Sequence, residues 1–363
     1  MNFAKPELLA PAGDYTRFRY AVEYGADAVY VGGEEFSLRT AVANFPRADL
    51  ARAVDYAHRR NVRVYVACNT VPRNDEIERF SDYLQFLKKI EVDALIVSDL
   101  GLFMMIRDEC PEMELHVSTQ ANISNYADCL AWYRLGAKRV VLARELTFDE
   151  ITQIRLRTPG SLEIEAFVHG AMCVSHSGRC LLSNFMTGRD ANRGNCAQAC
   201  RWKYNLVEEK RPGQYMPVEE TDTGTFIFNS KDLCMIDHVP DLISAGITSF
   251  KIEGRVKTEY YVACVVAAYR RAIDACFSDL GEYERILPEL REEVCKVSHR
   301  PYFTGFYYGD QKSESMNFNE SGYIRDYEVS GIVTGYDYVR GCVVLSQRNK
   351  FVIGDECEFL IPG

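Results

Sequence analysis

The sequence has no apolar stretch of the roughly eighteen residues that a membrane-spanning helix requires. The first residues, MNFAKPELLAPAG, also lack the apolar segment of a secretory signal, so we expect a cytoplasmic protein with no membrane partner. Basic residues are fewer than acidic ones, 42 against 52. The resulting net charge of −10 argues against nonspecific coating of nucleic acid, because such binding neutralises phosphates, but it leaves a local basic patch open.

Three common enzyme motifs are also missing. No G-x-G-x-x-G follows the first predicted strand, which argues against a dinucleotide-binding fold. The sequence contains no H-E-x-x-H and no G-x-S-x-G, so neither a zincin nor an α/β-hydrolase mechanism is supported.

Cysteine, in contrast, is abundant. The thirteen thiols are an odd number in a chain without an export signal, and we therefore expect reduced cysteines rather than disulfides. Several of them, such as Cys68, Cys129 and Cys264, lie in apolar runs where cysteine usually serves as a small buried hydrophobe. With 363 residues, 47% of them hydrophobic, the chain can bury one large core.

Short apolar segments alternate with amphipathic segments of helical length, which is the pattern of a parallel sheet. Eight such units predict an α/β fold, a closed (β/α)₈ TIM-type barrel, rather than an open sheet. The predicted helices include 50–60, 75–89, 149–157, 259–275 and 284–297. The eight predicted strands are 7–12, 28–32, 64–68, 94–97, 115–118, 139–143, 163–168 and 249–253.

A long cysteine-bearing insertion, residues 170–248, separates the seventh and eighth predicted strands. Because loops that follow barrel strands leave at the C-terminal face, we expect this insertion to cover the mouth of the barrel. The barrel would comprise residues 1–300, followed by a linker at 301–321. Residues 322–363 read as the start of a small β domain that we expect to be truncated, with strands at 328–335, 342–346 and 357–361 and a turn at 352–355.

Four cysteines of the insertion, Cys173, Cys180, Cys196 and Cys200, lie within twenty-eight residues of one another. Thiolates favour soft centres such as zinc, copper(I) or an iron-sulfur cluster, so this spacing predicts a metal site without identifying the metal. A zinc ribbon more often has two short C-x₂₋₄-C pairs, whereas the first pair here is separated by six residues. Cys234 is a fifth candidate, and a buried core thiol is the simpler interpretation for it.

The segment 165–183 (EAFVHGAMCVSHSGRCLLS) resembles the signature of the collagenase-like proteins grouped as peptidase family U32. The resemblance extends from 10–13 (APAG) to 250–255 (FKIEGR), and so covers nearly the whole chain. Within the family, 190–202 (DANRGNCAQACRW) is similar to the branch that makes 5-hydroxyuridine at the wobble position of tRNA.

This resemblance implies a barrel with a cysteine-ligated [4Fe–4S] cluster and a hydroxylation that draws on prephenate rather than on molecular oxygen. It also implies tRNA as the partner, although sister branches act on ribosomal RNA or in ubiquinone synthesis. In the ubiquinone branch the fourth cysteine lies well downstream of the third. The fourth ligand of this chain could therefore be Cys200 or Cys234, and zinc remains the second choice of metal.

Polar side chains at the predicted strand ends are candidates for binding a small substrate, because such ends converge at the barrel mouth. Arginine and lysine there would suit a dicarboxylate such as prephenate. A single one of these residues could equally be a solvated or structural group. The candidates are Arg39, Asn69, Gln120, Asn122, Arg144, Glu145, His169, Lys251, Glu253 and Arg255.

Three functions remain open on the sequence: an RNA-modifying iron-sulfur enzyme, a peptidase, and a noncatalytic metal-binding scaffold. A peptidase could combine Cys173 with His169 or His176, but a metal-bound thiolate cannot attack a peptide. RNA docking would need local basic residues, for which Arg189, Arg193, Arg201 and Lys203 are candidates beside ordinary surface charge.

Overall fold

The computed structural model describes residues 4–38, 44–173, 175–176, 179–202, 220–221, 224–225, 231–309 and 323–362. Two predicted site residues, Arg39 and Lys203, lie outside these ranges, as does the side chain of Arg201. None of the described helices has the length and apolar character needed to cross a membrane.

The strands of the described residues follow in chain order. They are β1 (Glu7–Pro11), β2 (Ala28–Gly32), β3 (Arg63–Cys68), β4 (Ala94–Val97), β5 (Glu114–Val117), β6 (Arg139–Val141), β7 (Glu163–Ala171), β8 (Glu220–Thr221), β9 (Gly224–Thr225), β10 (Asp232–Cys234), β11 (Ser249–Ile252), β12 (Tyr302–Phe303), β13 (Gly331–Asp337) and β14 (Cys342–Gln347).

The helices of the described residues are α1 (Tyr15–Glu23), α2 (Arg47–His58), α3 (Asn74–Lys89), α4 (Leu100–Glu109), α5 (Tyr126–Leu135), α6 (Phe148–Arg157), α7 (Leu182–Thr187), α8 (Val239–Ser244), α9 (Glu259–Ser278) and α10 (Leu280–Cys295). Several begin at a side chain that accepts a hydrogen bond from the first turn. Asp99, Asn125 and Thr147 cap α4, α5 and α6 in this way. Each such cap stabilises its helix by about 1 kcal/mol.

Strands β1 to β7 pair in sequence order and in parallel, and β11 pairs with both β1 and β7. This closes an eight-stranded parallel barrel with helices between the strands, which confirms the predicted fold. The eight predicted strands all correspond to barrel strands.

The barrel interior is divided between apolar and charged side chains. A small buried cluster, formed by Leu9, Ala28, Tyr30, Tyr65, Ala94 and Ile96, lines one side. On the other side, at the N-terminal end, Arg139 from β6 lies among Glu7, Glu163 and Glu165. The outer strand faces and the helices share a separate, larger core.

Strand β7 continues past the barrel and connects it to the insertion. Its last residues pair antiparallel with β10, as in Ala171↔Asp232, and β10 pairs in turn with β12. The barrel body therefore extends beyond residue 300 into the segment predicted as a linker. Tyr307 packs in the core and donates a hydrogen bond to the Phe167 carbonyl at 2.6 Å.

The C-terminal region forms an antiparallel hairpin, β13 with β14, at two of the three predicted strand positions. The predicted strand at 357–361 is wrong, because no strand is formed there and the segment contacts the barrel helices instead. Leu360 accepts a hydrogen bond from Tyr24 at 3.0 Å, and Glu358 pairs with Lys296.

Candidate functional site at the barrel mouth

Amide and hydroxyl side chains meet where β3 and β5 end. The Asn69 amide donates to Ser118 Oγ at 3.4 Å and to Gln120 Oε1 at 3.3 Å, and its oxygen accepts from the Leu38 backbone at 3.2 Å. Two predicted site residues, Asn69 and Gln120, are thus brought together. Their network also holds the loop that follows β2 against the mouth.

Arg144, just after β6, extends across the mouth towards the end of β11. Its guanidinium lies 4.0 Å from the Phe167 ring, Nη1 donates to the Ala171 carbonyl at 3.2 Å, and Nη2 is 3.7 Å from Glu253 Oε2. Its Nε is buried and has no hydrogen-bond partner among the described residues. The predicted residues Arg144 and Glu253 therefore lie at one point, where Arg144 keeps a buried N–H without a partner among the described residues.

Two further candidates lie on loops of the same face. Asn122 follows β5 with a left-handed backbone (φ 57°), and its buried Oδ1 has no hydrogen-bond partner in the described residues. Glu145 lies beside the cysteine-bearing insertion, with its Oε2 3.8 Å from His176 Nε2.

Lys251 and Arg255 are buried and already engaged by the protein. The Lys251 ammonium lies 2.7 Å from Glu165 Oε1, inside the barrel. Arg255 donates to Ser37 Oγ at 3.0 Å, to the Leu38 carbonyl at 3.2 Å and to Asn44 Oδ1 at 2.8 Å. These contacts position the loop after β2, so the structure gives Arg255 a supporting role at the mouth.

His169 points away from the barrel interior. The register of β7 against β11 shifts between Phe167 and His169, and such a bulge reverses the side on which the next side chain lies. The imidazole packs among Tyr261, Tyr269 and Tyr302. Burial, with smaller contributions from Lys257 and His299, lowers the pKa of His169 to about 3.

The cysteine-bearing segment, residues 179–202, is fastened to the C-terminal face of the barrel. Arg193 forms two hydrogen bonds with Glu76 at the start of α3, at 2.6 and 2.9 Å. These hydrogen bonds lower the pKa of Glu76, although burial acts in the opposite direction. This part of the insertion therefore lies at the C-terminal face of the barrel, beside the start of α3.

Hydrogen bonds from neighbouring residues hold individual cysteines of the segment. Asn192 binds Cys180 at both backbone positions, its Oδ1 accepting from the amide and its Nδ2 donating to the carbonyl, each at 3.1 Å. The Sγ atoms of Cys180 and Cys196 each accept a backbone N–H at 3.3 Å. Cys173 and Cys196 are exposed, and Cys180 and Cys200 are partly exposed.

Thiols of this kind can hold an iron-sulfur cluster. Backbone N–H groups that donate hydrogen bonds to sulfur stabilise the cysteine thiolates that bind iron. Within the described ranges, no three His, Cys, Asp or Glu side chains are arranged to hold a single metal ion. A cubane cluster is larger than an ion and separates its ligands more widely. Cys234 differs from the four, because it is buried on β10 and burial raises its pKa to about 12.

A pocket of about 460 Å³ lies between the barrel loops and the cysteine-bearing segment. Thr70 and Ser98 line its barrel side, and Arg179 and Asn192 its other side. Ser98 and Asp99, which also line the pocket, are not among the predicted site residues. Both directly follow β4, and this position at a strand end was the available signal.

Comparisons with known proteins identify the family of this chain. The tRNA hydroxylation protein P1 of Bacillus subtilis is 41% identical over 99% of this chain and 84% of its own length. The tRNA hydroxylation protein P of Escherichia coli is 37% identical over 99% of this chain and 86% of its own length. The 23S rRNA 5-hydroxycytidine C2501 synthase of Escherichia coli is 39% identical over 77% of this chain and 41% of its own length. Residues 13–317 match the model of peptidase family U32, and the chain belongs to that family.

Proposed function

We propose that this protein is an RNA-modifying enzyme that hydroxylates the wobble uridine of tRNA to 5-hydroxyuridine. In this proposal prephenate is the co-substrate, and Cys173, Cys180, Cys196 and Cys200 hold a [4Fe–4S] cluster. The observation that carries it is the Arg193–Glu76 contact, which holds the cysteine-bearing segment over the mouth that contains Arg144. Relatives named for tRNA and ribosomal RNA hydroxylation support RNA as the substrate.

Arg144 supplies the site for a carboxylate of the co-substrate. Its Nε has no partner among the described residues, while Nη1 is held by the Ala171 carbonyl. A guanidinium fixed on one side and stacked on Phe167 can present its other edge to a carboxylate without losing much side-chain freedom. Asn69 and Gln120 complete the polar lining from the ends of β3 and β5.

The cysteine-bearing segment supplies the redox site. A bound cluster would provide one-electron chemistry beside the mouth. Asn192 fixes the backbone of Cys180, and the amides of Leu182 and Gln198 donate to the sulfurs of Cys180 and Cys196. These contacts orient thiolates and stabilise their negative charge.

Peptide hydrolysis has less support from the described residues. Cys173 forms no hydrogen bond there with His169 or with His176, and a Cys–His mechanism requires such a contact or its formation on substrate binding. His169, with its low pKa and aromatic surroundings, is unsuited to act as a base near neutral pH.

The test is to measure iron content and tRNA 5-hydroxyuridine on the same set of variants, in a strain that lacks the natural gene. Cys173→Ser, Cys180→Ser, Cys196→Ser and Cys200→Ser should each abolish iron binding and hydroxylation, because serine replaces a soft thiolate ligand poorly. Cys234→Ser is the matched control, since its thiol is buried in the barrel body, and it should retain most of both.

Variants that lose iron yet keep full hydroxylation would show that the cluster is not needed for the reaction. A protein purified without oxygen that contains zinc instead of iron would also contradict the proposal.

A further inference from the structure

The cysteine-bearing segment has a charge unlike that of the whole chain. Residues 179–202 contain four arginines and one acidic residue, Asp190, in a protein of net charge −10. Such a local excess of positive charge suits a polyanionic partner.

Two of the segment's arginines are used within the protein. Arg193 is paired with Glu76, and Arg189 donates to Asn195 Oδ1 at 2.9 Å and approaches the Cys196 carbonyl at 3.5 Å. Arg73 and Arg179, in contrast, are exposed, line the 460 Å³ pocket, and have no acidic partner among the described residues. Two arginines without an acidic partner in the described part of the chain therefore lie at the rim of this pocket, which Asp99 and Asp190 also line.

Large apolar side chains follow Arg179 along the chain and lie in open solvent. Leu181, immediately before α7, and Phe185, four residues later within it, are 74% and 86% exposed. The backbone beneath them is ordered by Ser183, whose hydroxyl donates to the Arg189 carbonyl at 2.7 Å and accepts from the Ala197 amide at 2.8 Å. Large apolar side chains held in solvent by a hydrogen-bonded segment are candidates for contact with a partner.

We infer that the surface formed by Arg73, Arg179, Leu181 and Phe185, here called the Phe185 surface, binds a single-stranded RNA loop. Phe185 stacks an unpaired base, while Arg73 and Arg179 bind the adjoining phosphates. Aromatic stacking combined with arginine contacts is how proteins bind unpaired nucleotides. The inference rests on the proposed function, because it names how the RNA substrate reaches the site.

The pocket beside Arg179 can receive one nucleotide of the bound loop. Asn192 lines it and holds the backbone of Cys180, so a nucleotide that enters the pocket lies next to a proposed cluster ligand. A base stacked on Phe185 would leave its neighbour unstacked and able to turn into the pocket. Removing a base from its stack is easiest in a loop, which is why an RNA loop fits better than a duplex.

The experiment measures binding of the full-length protein to a fluorescent RNA hairpin with an open loop, and to a fully paired RNA duplex of equal length. Phe185→Ala should weaken hairpin binding by roughly 5- to 150-fold and leave duplex binding unchanged. Arg179→Glu should weaken binding and reduce its salt dependence by about one counterion. Arg134→Glu, an exposed arginine at the end of α5 near the opposite end of the barrel, is the control and should bind as the wild type does.

Two conservative variants separate stacking from a contact with another protein. Phe185→Trp should retain hairpin affinity, whereas Phe185→Leu should lose it, because leucine keeps the apolar area and removes the aromatic face. If Phe185→Leu binds the hairpin as tightly as the wild type, or if Phe185→Ala changes only the oligomeric state in gel filtration, the inference is overturned.

Measuring 5-hydroxyuridine on the same variants separates this inference from the proposed function. Phe185-dependent hairpin binding by a protein that hydroxylates no RNA would refute the proposed function and leave the RNA surface standing. Normal hydroxylation and unchanged affinity in Phe185→Ala and Arg179→Glu would refute the surface alone.

Discussion

Arg139 and Arg144 lie at opposite ends of one strand, β6, and their surroundings are opposite as well. Arg139 begins the strand and forms hydrogen bonds of 2.6–3.2 Å with Glu7, Glu163, Glu165 and Ser249. Arg144 follows the strand, donates to one backbone carbonyl, and has an Nε without a partner among the described residues.

The difference separates a stabilising end of the barrel from a functional end. Charges at the N-terminal end are neutralised in place, and attraction to Lys251 and Arg139 keeps the pKa of Glu165 low although burial opposes it. Groups at the C-terminal end are only partly satisfied, as expected where a barrel binds substrates.

The largest effect is expected from Arg139→Met. Removing this guanidinium leaves buried carboxylates without their partner, which should cost about 3–5 kcal/mol of unfolding free energy. Arg144→Met is the matched change at the other end of β6 and should cost less, because it removes one hydrogen bond and a single 3.7 Å contact with Glu253. Urea unfolding measures both, and equal losses would remove the distinction between the two ends.

Arg144→Gln should act on substrate use instead of stability. If Arg144 binds a carboxylate, the loss of a charge-assisted hydrogen bond should weaken co-substrate binding by roughly 10- to 150-fold. Titration of the purified protein with prephenate measures this loss, and an unchanged iron content shows that the cysteine-bearing segment is intact. An affinity equal to that of the wild type would remove Arg144 from the site.

His169 should make the protein less stable in acid. Its pKa is about 3 when folded against an ordinary value of 6.5, so the unfolded chain binds the extra proton first. This contribution to stability is present above pH 6.5 and decreases by about 1.4 kcal/mol per pH unit below it, until the pH approaches the folded pKa. In urea unfolding at several pH values, His169→Gln should show a shallower dependence. An identical slope would mean that the imidazole is not buried in solution.

The smallest effect on stability is expected from Glu76→Gln, which breaks the ion pair with Arg193. Such a partly exposed pair contributes about 0.2–1 kcal/mol. Amide hydrogen exchange should nevertheless accelerate in residues 179–202, because this contact fastens the segment to α3. Glu78→Gln, on an exposed position of the same helix, should leave exchange unchanged. Slow exchange in both variants would show that other contacts hold the segment.

The barrel could be predicted from the sequence because its strands are short apolar runs at regular spacing, and every one of the eight was identified. The positions of Asn69, Gln120, Arg144 and Glu253 followed from strand order alone, since parallel strands end at the same face. The orientation of His169 could not be predicted in this way, because one extra residue in β7 turns the side chain outward.

The roles of Lys251 and Arg255 depended on partners far away in sequence. The sequence predicts that both side chains bind an anionic substrate. In the structure Glu165 binds Lys251, and the loop at Ser37 and Asn44 binds Arg255. A sequence pattern shows that a cation lies at a strand end, but not whether a distant carboxylate or carbonyl already binds it.

The pairing of Ala171 with Asp232 has a consequence for how this family can change. The sixty residues between these two positions leave the barrel and return at the same place, so they are connected to it like the loop of a hairpin. The entropy of closing such a loop rises only with the logarithm of its length, and doubling it would cost about 0.6 kcal/mol. Evolution can therefore lengthen, shorten or exchange these inserted residues while the barrel strands on either side keep their register.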